Sequence, residues 1–245
     1  LLWWLPKLAR KWISQADKII NVSRRQAEII ADQVPELRDK IEIVYNPLPP
    51  EVINAEPRKE LDDTPTFLYV GGDSYVKGFH IFLKAMKELG RQGIKARFIL
   101  TNKYSRKSIK ILNILNSKYE NLRVDVVGRV EYHELIKLHE KAWALIFPSI
   151  WEEPLPYAVV EAMTLGTIPI APKVGGVSEL LDDTMLESFM FAPQNSSELI
   201  EIIKKLSTFG SNEVLSLSHK LRNIALKKFD TNNISRKIAQ IFSSY

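Results

Sequence analysis

The sequence predicts an α/β protein with a doubly wound parallel sheet covered by helices on both faces. From Thr66 onward, short apolar runs alternate with longer segments in which apolar residues recur at helical spacing. The apolar runs, such as FLYV and ALIF, are continuous, which is typical of strands buried on both faces. Glycine or proline follows several of these runs, where a strand would pass into a loop. Together these observations predict a Rossmann-like sheet of about six parallel strands.

The elements of this region follow one another in strict alternation. The predicted strands are 66–72, 95–100, 122–128, 143–149, 167–172 and 188–192. The predicted helices are 78–90, 108–119, 132–142, 156–166, 176–183 and 195–207, and two more helical segments close the chain. We expect Pro156 to open one helix, since a first-turn proline loses no hydrogen bond, and Gly166 to end it.

The segment before this region has a different organisation. Residues 18–23 and 41–45 are predicted strands, 24–34 is a predicted helix, and NPLPPEV (46–52) is a proline-rich break. Two strands cannot build a core alone. The predicted organisation is therefore the end of a preceding domain with its linker at 1–48, a ligand-binding domain at 49–229 and a closing C-terminal helix at 230–245.

The first thirteen residues, LLWWLPKLARKWI, combine tryptophans with lysine and arginine. The stretch is too short and too charged to span a bilayer. Two interpretations stay open: an amphipathic helix at a membrane surface, or a helix packed against a domain that the sequence does not include.

Composition narrows the partners and the chemistry. The net charge of +5 and the pI of about 9.2 suit an anionic partner such as a nucleotide, a phospholipid surface or nucleic acid. The chain has no cysteine, which excludes disulfides and thiolate metal sites and fits a reducing compartment. His80, His133 and His139 follow no catalytic pattern, and we expect them to be structural.

Ligands of such sheets bind outside the carboxyl ends of the strands, so the residues there are the candidate site. After the first strand, Gly71 and Gly72 lead to Lys77 at a helix start, which suits a phosphate or is an ordinary solvated turn. Residues 128–130 (Gly-Arg-Val) would border a flat ring or form a simple turn. A second glycine turn at 171–177 would suit an anion or a hydroxyl group.

Two carboxylates in WEEPLPYAVVEAM, Glu153 and Glu161, are eight positions apart. If the stretch were helical throughout, they would be about 12 Å apart. The carboxylate pairs of glycosidases lie roughly 5–9.5 Å apart, so this spacing is poor for joint attack on one bond. It suits the two ends of a longer ligand with sugar hydroxyls, which carboxylates accept well. The alternative is two solvated charges on a helix face.

Over nearly its whole length the chain resembles the retaining glycosyltransferases of family four, which have the GT-B architecture. The resemblance rests on ADKIINVS and IEIVYNPLP, on YVGG followed by KG, and on the block FPSIWEEPLPYAVVEAMTLGTIPIAPKVGGVSELL with its E-x7-E motif. KKFDTNNISRKIAQIF is similar to the closing helices of that family. The resemblance implies the C-terminal, donor-binding half of such an enzyme, with residues 1–48 as a remnant of the acceptor domain.

The resemblance also implies roles for individual residues. Lys77 would bind the donor diphosphate, Glu153 the sugar hydroxyls and Glu161 the ribose, with Glu153 and Lys77 as the catalytic pair. The full implied donor-binding set is Gly71, Gly72, Lys77, Gly128, Arg129, Val130, Glu153, Leu155, Pro156, Tyr157 and Glu161. Such enzymes use a nucleotide sugar, retain the anomeric configuration, and usually need neither a metal nor another cofactor.

Two positions depart from the family pattern. Gly72 occupies a position that is often arginine, so Arg129 or Lys173 would have to compensate on the diphosphate. Pro156 replaces a glycine inside E-x7-E and removes one backbone donor.

The expected whole enzyme is cytoplasmic or peripheral at a membrane, with a carbohydrate or lipid-linked acceptor bound through an N-terminal domain and no nucleic acid. We expect this chain alone to transfer little or no sugar. The alternatives are a non-catalytic nucleotide-sugar sensor and a binder of nucleic acid or membrane.

Overall fold

The structure is a computed structural model that describes residues 5–181 and 185–243. It opens with helix α1 (Leu5–Ile13), strand β1 (Ile19–Asn21), helix α2 (Arg24–Gln33), a 3₁₀ helix (Pro35–Lys40) and strand β2 (Ile41–Ile43). The Ser23 side chain caps α2 by accepting a hydrogen bond from the amide of Gln26. β1 and β2 pair in parallel as a separate two-stranded sheet.

The main sheet has six parallel strands, as predicted. They are β3 (Thr66–Tyr69), β4 (Ala96–Thr101), β5 (Leu122–Gly128), β6 (Ala144–Ile146), β7 (Ile168–Pro172) and β8 (Met190–Phe191). Their spatial order is β5-β4-β3-β6-β7-β8, and each neighbouring pair is parallel. The chain therefore winds outward in both directions from β3, which confirms the doubly wound fold.

Helices cover this sheet and close the chain. They are α3 (Pro50–Ile53), α4 (Phe79–Arg91), α5 (Arg106–Lys118), α6 (Tyr132–Lys141), α7 (Tyr157–Thr164), α8 (Val177–Leu181), α9 (Ser196–Ser207), α10 (Ser211–Lys228) and α11 (Thr231–Ser243). Within the core, the ring of Phe98 on β4 packs against those of Phe67 on β3 and Phe82 on α4. On the surface layers, α4 packs against α9 and α7 against α10.

Several predicted boundaries were wrong in detail. Residues 50–53 of the proline-rich break form α3, because Pro50 and the residues after it adopt one helical turn. Pro156 does not open α7 but precedes it in extended conformation, and the helix begins at Tyr157. Of the predicted strand 188–192, only Met190 and Phe191 pair with β7, since Glu187–Phe189 form a 3₁₀ turn. The predicted helix 176–183 is α8, and its last two residues lie outside the described residues.

The segments flanking the small sheet contact the main body through Glu179 of α8, among other residues. Its carboxylate accepts a hydrogen bond from the Tyr45 hydroxyl at 2.6 Å and another from the Arg24 amide at 2.7 Å. The Tyr45 ring also packs against Phe229, with ring centroids 5.3 Å apart. From α11, the Lys237 ammonium donates to the carbonyl of Ile43 at 2.7 Å. These contacts fix the position of α2 relative to α8.

A buried polar cluster lies at the edge of the main sheet where its strands begin. The Nδ1 atom of His139 is 3.0 Å from the Thr167 hydroxyl, and the Lys59 ammonium donates to that hydroxyl at 2.9 Å. Burial, together with the Lys59 charge, lowers the pKa of His139 to about 3. His139 is therefore a neutral structural residue, as expected.

The first helix keeps both interpretations of the amino terminus open. Residues 1–4 of the predicted surface segment lie outside the described residues. In the remainder, Trp12 is 66% exposed and Ile13 48% exposed, beside exposed Arg10 and Lys11. Across residues 5–181 and 185–243, none of the helices combines the length and the apolarity that a bilayer crossing needs.

Candidate functional site

The loops that follow β3 and β6 are in direct contact at the carboxyl edge of the sheet. A Cβ atom at Gly78 would lie 1.8 Å from the Pro148 carbonyl oxygen, so only glycine permits this approach. The Ile150 amide donates to the Val76 carbonyl at 3.0 Å. Because the two loops are held together, the residues they carry are positioned relative to each other.

Lys77 and Glu153, which come from these two loops, form an ion pair. The Lys77 ammonium lies 2.6 Å from Oε1 of Glu153. The buried Ser149 hydroxyl donates to the same oxygen at 3.0 Å. Side-chain exposure is 40% for Lys77 and 18% for Glu153, so the pair can still be reached by a ligand. Glu153 is thus an oriented carboxylate rather than a solvated surface charge.

The backbone around Glu153 rests on the glycine turn between β7 and α8. Gly175 has a φ of +58°, and a Cβ atom there would lie 2.3 Å from the Glu153 carbonyl oxygen. At Gly176 a Cβ atom would lie 2.0 Å from the Pro154 carbonyl oxygen. The Gly176 amide also donates to the Glu153 carbonyl at 2.9 Å. The second predicted glycine turn therefore supports the acidic loop.

A pocket of about 250 Å³ opens where these loops meet. Five residues of the predicted site line it: Gly71, Lys77, Glu153, Leu155 and Tyr157. The first residues of α7, Tyr157 and Ala158, form one wall. Pro156 at the N-cap has no side-chain acceptor for their amides, so this helix end can offer N–H groups to an anion. A cation, a carboxylate and a helix N-terminus therefore meet in one pocket.

Gly72, at a position that is often arginine in the family that the chain resembles, has a backbone conformation that favours glycine. Its φ is +63°, and a Cβ atom would lie 3.0 Å from the Lys103 carbonyl oxygen. The Tyr69 hydroxyl donates to the Gly72 carbonyl at 2.9 Å and holds the loop in this form. An arginine in this backbone conformation would be strained, so this loop favours glycine at position 72.

Neither of the two cations expected to compensate lies in this pocket. In the part of the chain that the structure describes, Lys77 is the one cation among the pocket's lining residues. Lys173 lies 3.6 Å from Glu187 and lines a separate cavity of about 640 Å³, on the Glu152 side of the acidic loop. Arg129 is an exposed residue after β5.

Glu161 lies inside α7 and is 8% exposed, which rules out the solvated-charge alternative for this residue. The Tyr132 hydroxyl, at the start of α6, donates a hydrogen bond to its Oε1 atom. Burial raises the pKa of Glu161, and the hydrogen bond from Tyr132 opposes that rise. Tyr132 follows Gly128, Arg129 and Val130 closely in sequence, and through its hydroxyl the start of α6 contacts Glu161.

The metal and cofactor expectations stay predictions. Within the described residues there is no group of three or more His, Cys, Asp or Glu side chains that could hold a metal ion.

Some contacts of the site were not predicted from the sequence. Ser149, Gly176 and Tyr132 were not singled out for their contacts, because each acts on an acid or a loop far away in sequence or on the backbone. For Ser149, its position between a buried strand and the acidic loop was an available signal. For Tyr132 no local pattern indicated a partner 29 positions away.

A doubly wound sheet with a pocket between the loops after two adjacent strands is the arrangement in which many α/β proteins bind their ligands. The sequence profile of the family described as glycosyl transferases group 1 matches residues 53–228. The match covers most of the chain, and the chain belongs to this family.

Individual curated proteins and solved structures are also similar to this chain. A glycogen synthase from Thermodesulfovibrio yellowstonii is 29% identical over 182 residues, which are 73% of this chain and 35% of that protein. An alpha-D-kanosaminyltransferase from Streptomyces kanamyceticus is 24% identical, over 78% of this chain and 49% of its own length. The crystal structure of HepE from Anabaena in complex with UDP superimposes with a TM-score of 0.78 at 22% identity, covering 98% of this chain and 67% of HepE.

The HepE superposition confirms the GT-B type of fold. The chain spans about a third to a half of the length of these two curated relatives.

Proposed function

We propose that this chain supplies the donor-binding half of a glycosyltransferase that moves a sugar from a nucleotide sugar to an acceptor with retention of configuration. The observation that carries the proposal is the meeting of Lys77, Glu153 and the N-terminus of α7 in one pocket. A lysine and a helix N-terminus favour a diphosphate, and an oriented carboxylate beside them suits sugar hydroxyls.

The donor would lie along the carboxyl edge of the sheet. The base would border residues 128–130, the ribose would meet Glu161, and the diphosphate would lie at Lys77 and the first amides of α7. The sugar would contact Glu153 and the amides near Leu155. The E-x7-E spacing supports this arrangement, since one acid lies in the loop and the other more than a turn inside the helix.

The ion pair between Lys77 and Glu153 gives each residue a role in the reaction. When the diphosphate binds, it replaces Glu153 as the counter-ion of Lys77, and Glu153 becomes available to the sugar. As the bond to the anomeric carbon breaks, negative charge grows on the leaving diphosphate, and Lys77 with the helix N-terminus stabilises that charge. This scheme calls for no metal and no further cofactor.

The relatives' names support the donor class. HepE has been crystallised with UDP and with UDP-glucose, and the curated relatives are named as a glycogen synthase and an alpha-D-kanosaminyltransferase. For the whole protein we propose a carbohydrate or lipid-linked acceptor bound through an N-terminal domain. We also propose a cytoplasmic location, with contact to a membrane surface through residues 1–13.

The two acids provide the test, because each would hold one end of the donor. Glu161→Gln should weaken UDP and UDP-glucose alike by about tenfold, since hydrogen bonds to charged groups contribute about 1.5–3 kcal/mol against roughly 1 for neutral ones. Glu153→Gln should weaken UDP-glucose and spare UDP. Glu201→Gln, an exposed acid on α9, is the matched control.

Calorimetric titration of all three variants with both ligands measures the effect. If Glu153→Gln and Glu161→Gln weaken both ligands equally, the assignment of one acid to each end is wrong. If neither variant differs from the control, the acids do not bind the donor.

A further inference from the structure

Tyr132 contacts the proposed ribose-binding acid and has no role assigned to it above. We propose that Tyr132 is a positioning residue for ribose recognition, whose hydroxyl orients the Glu161 carboxylate so that its second oxygen faces the ribose diol. The inference rests on the proposed function, since it concerns the same donor site. It adds a residue outside the E-x7-E motif on which selectivity for the ribose would depend.

The geometry of the contact supports this role. Tyr132 is the first residue of α6 and Glu161 is the fifth residue of α7, so the bond joins two helices that follow different strands. Tyr132 is 39% exposed, whereas Glu161 is 8% exposed. The hydroxyl therefore reaches from the accessible edge of the sheet toward a carboxylate that is otherwise enclosed.

The surroundings of Glu161 leave it dependent on this bond. Its neighbours along α7, Val159, Val160, Ala162 and Met163, are buried and apolar. Across the described part of the chain, Tyr132 is the one side chain that hydrogen-bonds the Glu161 carboxylate. A carboxylate can accept about four hydrogen bonds, so Oε2 keeps its capacity for a ligand. A single fixed partner on Oε1 is what sets the direction of the other oxygen.

The charges near this contact do not provide a substitute. On its own helix, Glu161 lies close enough to act on the charge state of Tyr157, and Glu51 of α3 lies close enough to act on Tyr132. Both tyrosines are neutral at ordinary pH and Glu51 is an acid, so none of them contributes a positive charge. Loss of the Tyr132 hydroxyl would thus leave a buried carboxylate without its donor, and Glu161 would take up a proton at a higher pH.

The location of Tyr132 explains why its loss should change the affinity for the ribose hydroxyls in particular. It is separated from Val130 by one residue, so it lies between the loop proposed to border the base and the acid proposed to hold the ribose. A nucleotide seated there would present its 2′ and 3′ hydroxyls to the oriented carboxylate. Removing the 2′ hydroxyl should then cost affinity only while Glu161 is correctly held.

The experiment compares Tyr132→Phe with the unaltered chain in titrations with UDP and 2′-deoxy-UDP between pH 5 and pH 8. The unaltered chain should prefer UDP by about tenfold, the value of one hydrogen bond to a charged acceptor. Tyr132→Phe should lose most of that preference, and the pH below which UDP binding weakens should move upward. Tyr119→Phe removes a tyrosine hydroxyl at the end of α5, outside the pocket, and should leave the ratio and the pH profile in place.

The outcomes separate this inference from the function on which it rests. If Tyr132→Phe keeps both the preference for ribose and the pH profile, the positioning role is overturned and the donor site stands. If the unaltered chain binds UDP without discriminating it from 2′-deoxy-UDP, the ribose role of Glu161 fails and the inference fails with it. If the unaltered chain binds none of UDP, ADP and GDP, the proposed function itself is refuted.

Discussion

Replacing Gly175 with alanine should displace the loop that carries Glu153 and weaken sugar binding selectively. A Cβ atom at this position would lie 2.3 Å from the carbonyl oxygen of Glu153 and 2.8 Å from its amide nitrogen. Neither atom belongs to a flexible side chain, so the backbone of one loop must move. Because the Glu153 carboxylate lies only a few bonds away, its contact with Lys77 and Ser149 should loosen.

Two other glycines allow the cost at Gly175 to be divided into its parts. Gly93 has a φ of +72°, and a Cβ atom added there would meet nothing within 4 Å, so Gly93→Ala introduces backbone strain alone, about 1–2 kcal/mol. Gly176→Ala places a Cβ atom 2.0 Å from the Pro154 carbonyl without a left-handed φ, so it introduces the collision alone, typically about 1–3 kcal/mol. Gly175→Ala combines the two, and its loss of unfolding free energy should be about 2–5 kcal/mol.

Denaturant unfolding and calorimetry with UDP and UDP-glucose measure both consequences. We expect Gly175→Ala and Gly176→Ala to lose UDP-glucose affinity by more than they lose UDP affinity, and Gly93→Ala to lose stability with no change in either affinity. If Gly175→Ala matches Gly93→Ala in stability and in both affinities, the glycine turn does not support the acidic loop and the reasoning is refuted.

Two further predictions concern stability. The pKa of His139 is about 3 in the folded chain and about 6.5 when unfolded, so the unfolded state binds the extra proton and stability should fall as the pH drops through this interval, by up to about 1.4 kcal/mol per pH unit. In urea unfolding at pH 7.5 and 5.5, His139→Gln should show a smaller difference than the unaltered chain, and an equal difference would contradict the assignment. Glu179→Gln should cost about 1–2 kcal/mol, because the Tyr45 hydroxyl and the Arg24 amide lose a charged acceptor. Tyr45→Phe, which removes one of the two donors, should lower the Tm by about half as much as Glu179→Gln. No loss of Tm in either variant would show that Glu179 does not hold the small sheet to the main body.

The sheet and its edge could be predicted from sequence because their signals are local. The runs around Phe67, Phe98 and Leu145 are continuous and apolar, and glycines mark the loops between strand and helix. Parallel topology then places those loops at one edge without further information. The meeting of Lys77 and Glu153 follows from this rule, although their sequence positions are 76 apart.

The finer features of the site depend on tertiary contacts that the sequence does not display. The left-handed φ of Gly72 accompanies contacts with Tyr69 and with the β4–α5 loop, and the glycine in the sequence does not by itself predict those contacts. The hydrogen bond between Tyr132 and Glu161 requires knowing how α6 and α7 lie beside each other. The strand at 188–192 was predicted too long because apolar residues fit a 3₁₀ turn as well as a strand, and only Met190 and Phe191 find a partner.

The pocket's own cation gives the most direct test of the donor-binding claim. Calorimetric titration with UDP, ADP and GDP, the base being open, should show saturable binding of at least one nucleotide at a single site. Lys77→Met should weaken that binding by about tenfold to a hundredfold, since a charged hydrogen bond to the diphosphate contributes about 1.5–3 kcal/mol. Lys110→Met, which removes a lysine of α5 that does not line the pocket, should leave it unchanged. Binding that is equally strong in Lys77→Met, or the absence of binding to all three nucleotides, would contradict the account.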